Sequence, residues 1–254
     1  MKSFVMMLSF FTRIPVRALD GIDEAAYRKG IKYLPVIALL LGAAAGAVSL
    51  LGIWIDRYLA AFLTLLVYLL LTGGLHLDGL ADTMDAFCAG RDREKTLAIL
   101  RDSRIGAFGA LALAVLVAGD TVALGSAGRA AWLFPLAGRT TALLAAKCFP
   151  CARPGGLGQW FIDGVKTAHI VFALVLYIVA AAVIGMDLKY MEFDAVRFAV
   201  TAGSFLVAAG VTLLVVRRFS RRIGGITGDI VGFSIEMSQF VFLLTAAAAF
   251  GIAA

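Results

Sequence analysis

The chain has 254 residues, of which 61% are hydrophobic and only 16% are charged, and its mean hydropathy is +0.94. Soluble domains have about 25% charged residues, so this composition excludes an ordinary soluble protein and leaves no polar segment long enough for a second domain. The net charge of +6 is typical of a membrane protein with basic cytoplasmic loops. It therefore does not indicate nucleic acid as a partner.

Apolar runs long enough to cross a bilayer recur along the sequence. They predict an all-α polytopic membrane bundle, one domain over residues 1–254, with spans at 34–55, 59–77, 105–125, 129–148, 168–186, 198–216 and 237–254. The first thirteen residues are apolar but too short to span, and they predict an amphipathic helix in the membrane interface. The lipid bilayer is thus the first expected partner.

Lysine and arginine placement gives the expected orientation. Most basic residues fall on the segments before spans one, three, five and seven, whereas only Arg57, Arg129, Lys189 and Arg197 fall on the opposite side. Cytoplasmic loops carry the excess of basic residues. The sequence therefore predicts a multi-pass protein of the cytoplasmic (inner) membrane with a cytoplasmic N-terminus.

An acidic motif ends the second predicted span. Asp78, Asp82 and Asp85 are spaced so that they share one face of a helix. Like charges on one face are unfavourable unless a cation lies among them, and Mg²⁺ prefers such oxygen ligands together with substrate phosphates. The motif predicts a metal site for a phosphorylated substrate, with a solvated acidic helix end as the alternative. His76 is either a proton carrier beside it or an interface residue.

Polar residues also occur at the start of the third span and inside the fourth. Asp102 is expected to cap the third span and Arg104 to clamp a phosphate, and Asp102 and Ser103 are predicted substrate-binding residues. The alternative is simple capping with a positive-inside arginine. Arg139 lies within the fourth span, where a charge is costly and usually functional or paired. Asp120 is its candidate partner.

A second motif occupies the predicted loop 217–236. Arginines with a glycine-rich turn suit anion binding, because glycine lets backbone amides approach phosphate and arginine pairs with it bidentately. The predicted substrate-binding residues are Arg217, Arg218, Arg221, Arg222, Gly224, Gly225, Thr227 and Gly228. Asp229 and Glu236 are expected to share a helix face. The alternative is a positive-inside anchor with a flexible turn.

The two motifs follow one pattern, in which a glycine pair precedes an aspartate by four residues and a further acid comes seven residues later. Gly73-Gly74 with Asp78 and Asp85 corresponds to Gly224-Gly225 with Asp229 and Glu236. The pattern is either a relic of internal duplication or a coincidence.

Several segments together resemble the cobalamin synthase family, the adenosylcobinamide-GDP ribazoletransferases. The similar segments are 73–83, Arg101-Asp102-Ser103-Arg104-Ile105-Gly106, Gly224-Gly225-Ile226-Thr227-Gly228-Asp229, Phe11-Thr12-Arg13-Ile14-Pro15-Val16, Arg28-Lys29-Gly30 and Gly155-Gly156-Leu157-Gly158. Two departures are Ala86, where the family commonly has glycine, and Phe233, where alanine is expected. Neither removes a polar group.

The resemblance implies an integral membrane phosphotransferase that joins adenosylcobinamide-GDP to α-ribazole or α-ribazole 5′-phosphate and releases GMP with Mg²⁺. It implies metal ligation by Asp78, Asp82, Asp85, Asp229 and Glu236, and catalytic roles for Asp82, His76 and Arg104. The base is either a carboxylate or His76, and the arginines of 217–222 would stabilise GMP. The sequence leaves homo-oligomerisation open.

Three other kinds of membrane protein use similar residues. A CDP-alcohol phosphotransferase and an aspartate-rich prenyltransferase would also place carboxylates on helices at the membrane. An ion-coupled transporter would concentrate polar groups near the bilayer midplane, whereas here the acidic motifs converge on one face and leave Asp120, Arg139 and Lys147 deeper. This distribution favours an enzyme.

Overall fold

The computed structural model describes residues 2–14, 23–90, 92–102, 104–187 and 192–253. Its α-helices are α1 (Lys2–Phe11), α2 (Glu24–Gly30), α3 (Leu34–Ser49), α4 (Arg57–Thr72), α5 (Leu75–Ala89), α6 (Arg93–Ile99), α7 (Ala107–Leu124), α8 (Phe134–Cys148), α9 (Gly156–Gly164), α10 (Thr167–Gly185), α11 (Ala195–Ile223) and α12 (Gly228–Ala253). Short 3₁₀ segments cover Ile31–Tyr33, Leu50–Ile53 and Gly128–Leu133. Strands β1 (Met186–Asp187) and β2 (Glu192–Phe193) pair antiparallel.

The predicted fold class, an all-α membrane bundle, is confirmed. Within the described ranges, five helices are long and apolar enough to cross a membrane: Glu24–Ile53, Ala107–Leu124, Thr167–Gly185, Ala195–Ile223 and Gly228–Phe250. A sixth is reached if α4 and α5, which meet at 95°, count as one broken span. This is fewer than the seven spans expected.

Helix α8 accounts for part of the difference. The predicted fourth span, 129–148, consists of a 3₁₀ segment followed by a helix of 15 residues. Its side chains are almost all buried against α3, α10, α11 and α12. Because α8 is surrounded by other helices, it can be short and can carry polar residues such as Thr140 and Thr141 without exposing them to lipid.

The predicted second span also ends earlier than expected. Helix α4 stops at Thr72, and Gly73 and Gly74 both adopt left-handed backbone angles, with φ of 65° and 64°. Glycine enters this region without the steric cost that a side chain brings. The glycine pair therefore turns the chain sharply, and the acidic motif lies on a separate helix, α5.

The predicted loop 217–236 is wrong, and so is the predicted start of the last span at residue 237. Helix α11 continues to Ile223, Gly224 ends it in a left-handed conformation, and α12 already begins at Gly228. Arginine is a good helix former, so these four residues extend α11 and do not form a loop after it. Only the short turn 224–227 is non-helical, and Asp229 and Glu236 lie on α12.

Candidate active site

Helices α5 and α12 touch through two glycines. A Cβ atom added to Gly79 would lie 2.6 Å from the carbonyl oxygen of Asp229, and one added to Gly232 would lie 3.4 Å from that of His76. Any larger residue at position 79 would push the helices apart, whereas at position 232 a Cβ atom alone would just fit. This close approach brings the acidic motif of α5 beside the N-terminus of α12, which begins the second motif.

Three carboxylates share the resulting site. Asp82 lies close enough to Asp78 and Asp229 for their charges to interact, and more weakly with Asp85 and Asp102. Asp78 is exposed, and Asp82 and Asp229 are half-buried. The hydroxyl of Thr227 donates to Asp229 at 3.2 Å and accepts from the Ile230 amide, so it also caps α12.

Asp78, Asp82 and Asp229 fit Mg²⁺ only if substrate phosphates and water supply the remaining ligands. No three or more His, Cys, Asp or Glu residues of the described ranges are arranged so that they hold a metal ion by themselves. Magnesium is commonly held by one or two carboxylates together with substrate phosphates and waters. Asp78, Asp82 and Asp229 supply oxygen ligands of this type at a site that is open to solvent.

A cavity of about 250 Å³ opens beside these carboxylates. Asp78 and Asp229 line it, together with Phe11 of the predicted amphipathic helix α1. The first turns of α5, α9 and α12 also line it, through Leu75 and His76, Leu157 and Gly158, and Gly228. Helix N-termini carry partial positive charge and free amides, which favour phosphate. The cavity therefore combines the carboxylates of Asp78 and Asp229 with helix N-termini that suit an anion.

Asp85, a predicted metal ligand, has both oxygen atoms engaged by backbone amides. Gly106 donates to it at 2.7 Å and Gly109 at 2.9 Å, so Asp85 satisfies the N-terminus of α7 from a neighbouring helix. The prediction that Asp102 caps this helix is wrong. The spacing of the sequence could not reveal a cap that comes from a residue 21 positions away.

Asp102 and Arg104 bind one another instead. The Arg104 Nη2 atom lies 2.6 Å from Asp102 Oδ2, and the Arg104 amide also donates to Asp102. These hydrogen bonds lower the pKa of Asp102 to about 2 and raise that of Arg104. The pair is exposed at the edge of the site, and the substrate-binding role of Asp102 and the catalytic role of Arg104 stay predictions. Ser103, predicted beside them, lies outside the described residues.

A buried polar network extends below the cavity. His76 Nδ1 lies 3.7 Å from Glu236 Oε1, and Gln239 donates to Glu236 Oε2 at 3.0 Å. The Gln239 side-chain oxygen, Oε1, accepts from the Tyr68 hydroxyl at 2.8 Å and from Arg139 Nη1 at 3.4 Å. Glu236 thus lies beneath His76 and two helical turns from Asp229. Its predicted role as a metal ligand is untested.

Arg139 is fully buried, but its expected partner is wrong. Its Nη1 atom donates to the Tyr68 hydroxyl at 3.2 Å and to the Pro135 carbonyl at 3.3 Å. The charge of Arg139 acts on Glu236, whereas Asp120 interacts with Glu236 and not with Arg139. The network of Arg139 therefore leads to the floor of the cavity.

The predicted arginines lie on the last two turns of α11, and all four are exposed: Arg217, Arg218, Arg221 and Arg222. Arg222 donates to the carbonyl oxygen of Phe87, the last-turn residue of α5, at 2.9 Å. None of these four arginines is among the described residues that line the carboxylate cavity. Of the predicted glycines, Gly224 and Gly225 form the turn before α12, and Gly228 lines the cavity.

Sequence reasoning did not single out Arg153, whose charge acts on Asp229. The segment that precedes Arg153 is tied to the turn before α12, because Ile226 donates to the Pro150 carbonyl and accepts from the Ala152 amide, each at 2.8 Å. The one signal in the sequence was its position just before the glycine pair Gly155-Gly156. The long separation from Asp229 along the chain concealed this charge interaction.

The chain is similar to known proteins over almost its whole length. The family model for cobalamin-5-phosphate synthase matches residues 3–247. A protein of Alkaliphilus oremlandii named adenosylcobinamide-GDP ribazoletransferase is 36% identical over 251 residues, 97% of each chain. Proteins of that name from Escherichia coli and Clostridium acetobutylicum are 38% and 32% identical, covering 96% of this chain and 98% and 95% of theirs. No solved structure matches the chain.

Proposed function

This chain belongs to the cobalamin-5-phosphate synthase family, and from that premise we propose that it is a membrane-bound adenosylcobinamide-GDP ribazoletransferase of cobalamin biosynthesis. The observation that carries the proposal is a cavity where Asp78 and Asp229 meet three helix N-termini, with Asp82 close enough for its charge to interact with both aspartates. Such a site suits a diphosphate with its counter-cation. Family membership decides against the CDP-alcohol phosphotransferase, prenyltransferase and transporter alternatives.

The proposed reaction transfers the phosphoryl group that bears the cobinamide arm from GMP to a hydroxyl of the ribazole. A hydroxyl of α-ribazole, or of its 5′-phosphate, attacks the phosphorus that bears the cobinamide arm. A new phosphorus–oxygen bond forms, the anhydride bond breaks, and GMP leaves with the bond electrons. The protein must mainly position the reactants and neutralise charge.

The chain's own residues would divide this work between the two motifs. Asp78, Asp82 and Asp229 would hold Mg²⁺, which neutralises phosphate charge and orients the diphosphate. Arg153 lies beside Asp229 and would bind the leaving phosphate together with the amides that begin α12. The Asp102–Arg104 pair lies at the edge of the carboxylate site. When substrate binds, Arg104 would release Asp102 and bind a phosphate of the substrate.

The proton of the attacking hydroxyl needs an acceptor in the cavity wall. His76 lines the cavity and has Glu236 beneath it, and a free carboxylate oxygen of Asp82 is the alternative. His76 would accept the proton, and the anion of Glu236 would stabilise the resulting imidazolium.

The proposed site faces the cytoplasm, with the chain in the cytoplasmic membrane and its N-terminus inside. Both substrates are polar and come from aqueous solution. The excess of lysine and arginine flanks the helix ends that surround the carboxylates.

The proposed function is tested by following GMP release from adenosylcobinamide-GDP and α-ribazole 5′-phosphate with the chain reconstituted in vesicles. The unaltered chain should release GMP and form the nucleotide-joined corrinoid only when Mg²⁺ is present. Asp82→Asn should lower the rate by at least about 100-fold at saturating Mg²⁺, the scale for groups that move a proton or stabilise transition-state charge.

Asp92→Asn is the matched control, because Asp92 only caps α6 by accepting from the Lys95 amide. Its GMP release should stay close to that of the unaltered chain. A near-normal rate for Asp82→Asn at saturating Mg²⁺ would remove the carboxylates from the mechanism.

A further inference from the structure

A second polar cavity, of about 450 Å³, lies on the other side of α2 and α9 from the carboxylate site. The two cavities share no lining residue. Tyr27 of α2 and Phe161 of α9 line the first cavity, whereas their near neighbours Arg28 and Asp163 line the second. The mechanism proposed above makes no use of this space.

The lining of the second cavity is strongly basic. Arg28, Lys29, Lys32 and Lys166 all line it, and among the described residues Asp163 is its single acid. Arg28 is paired with Glu24 at 2.8 Å, and Lys32 lies over the ring of Tyr33. Like charges gathered around one space repel each other unless an anion lies between them.

Two close glycine contacts build the walls of this cavity. A Cβ atom on Gly30 would lie 2.7 Å from the carbonyl oxygen of Ser3, and one on Gly164 would lie 2.7 Å from Ile31 and 3.2 Å from Arg28. Helix α1 and the end of α9 therefore both press against α2. This packing brings Arg28 and Lys29 of α2 to the same cavity as Lys166. The basic residues are therefore gathered by helix packing and do not simply lie along one exposed helix face.

Helix α10 adds an N-terminus to the same space. Lys166 is its N-cap residue, and the Lys166 amide donates to His169 Nδ1 at 3.2 Å. His169 and Tyr33 both line the cavity. The free amides of a 19-residue helix favour negative charge, and the Tyr33 hydroxyl is a further donor. Cations, helix N-terminus and hydroxyl together form a lining for a phosphate.

We propose that this second cavity binds a phosphate-bearing anion separately from the carboxylate site. Lys29, Lys32 and Lys166 bind the phosphate oxygens, and the α10 N-terminus orients the group. The phosphate belongs either to a soluble organic phosphate or to the headgroup of an anionic lipid, because the apolar helix α1 forms one wall.

Two arms of one experiment test the proposal on the purified full chain without divalent cations. The first arm titrates inorganic phosphate calorimetrically. The second measures, by native mass spectrometry, how much phosphatidylglycerol is retained relative to phosphatidylcholine with the same acyl chains. Lys29→Gln and Lys166→Gln should each weaken the binding of the anion by about tenfold, the scale for a hydrogen bond to a charged group.

Lys95→Gln is the matched control, because Lys95 is an exposed lysine on α6 that does not line the cavity. It should bind as the unaltered chain does, and Lys29→Arg with Lys166→Arg should restore most of the affinity even if the glutamine variants unfold. Saturable phosphate binding supports a soluble ligand, and selective phosphatidylglycerol retention supports a lipid. If neither anion binds, or if Lys95→Gln weakens binding as much as Lys166→Gln, the proposal is overturned.

Discussion

The three aspartates of α5 are spaced in the sequence to share one helix face, but they have different partners in the structure. Asp78 and Asp82 face Asp229 across the helix contact, whereas Asp85 is buried and accepts from two amides of α7. A helical face can be predicted from spacing. Which residue of that face lies near another carboxylate, and which caps another helix, depends on the neighbours that packing supplies.

Asp85→Ala should therefore destabilise the protein, because two buried amides at the start of α7 lose their acceptor. The expected loss is about 2 kcal/mol, within the range for hydrogen bonds to a charged group. Asp78→Ala should leave stability nearly unchanged, since Asp78 is exposed, and should instead abolish GMP release. Thermal unfolding in detergent distinguishes the two variants. Equal melting temperatures for both would contradict the capping role.

Arg139 is the largest fully buried side chain among the described residues. Arg139→Leu should cost about 3–5 kcal/mol, because it leaves the Glu236 charge buried without its cation. The double variant Arg139→Leu with Glu236→Leu should recover much of this loss, since it removes both of the buried opposite charges together. A double-variant cycle of melting temperatures measures the coupling. Simple additivity of the two losses would show that the residues act independently.

At the scale of elements, the site depends on how closely α5 and α12 approach. Both of its motifs come from the same arrangement, in which a helix ends at a left-handed glycine and a new helix begins a few residues later. Gly73-Gly74 precede α5, and Gly224-Gly225 precede α12. The sequence pattern thus corresponds to similar local structure in both motifs. Whether the two halves superpose stays a prediction of the duplication hypothesis.

Gly79→Val should separate the two helices, because its side chain would overlap the backbone of Asp229. Overpacking of this kind costs about 1–3 kcal/mol, and the resulting shift should lower GMP release more than it lowers helix content. Gly203→Ala is the control, since the space around Gly203 on α11 is open and alanine favours a helix. Normal activity of Gly79→Val would mean that the site tolerates a wider helix separation.

At the scale of the whole molecule, the apolar helices form the bundle and the charged groups gather at the helix ends and around Arg139. The proposed orientation puts the end of α5, the end of α8 and the carboxylate site on the cytoplasmic side. Cys88 and Cys148 are exposed free thiols at these two helix ends.

Single-cysteine variants that keep only Cys88 or only Cys148 should therefore react with a membrane-impermeant maleimide in inverted vesicles and stay unlabelled in intact cells. A cysteine introduced by Arg129→Cys, in the segment before α8, should show the opposite behaviour. Labelling measured by mass shift checks both. Reaction of Cys88 from outside intact cells would reverse the proposed topology.

The amino-acid sequence was enough to predict that the chain is a helical membrane protein, where its motifs lie and which family it resembles. Apolar run length, basic-residue placement and short motifs are local properties, and the bilayer makes them decisive because every spanning backbone must be hydrogen-bonded internally. Only the folded chain shows that Asp229 joins Asp78 and Asp82, that Asp85 caps α7, and that the charge of Arg153 acts on Asp229. These contacts join residues far apart in the chain, and they follow from where glycine lets two helices touch.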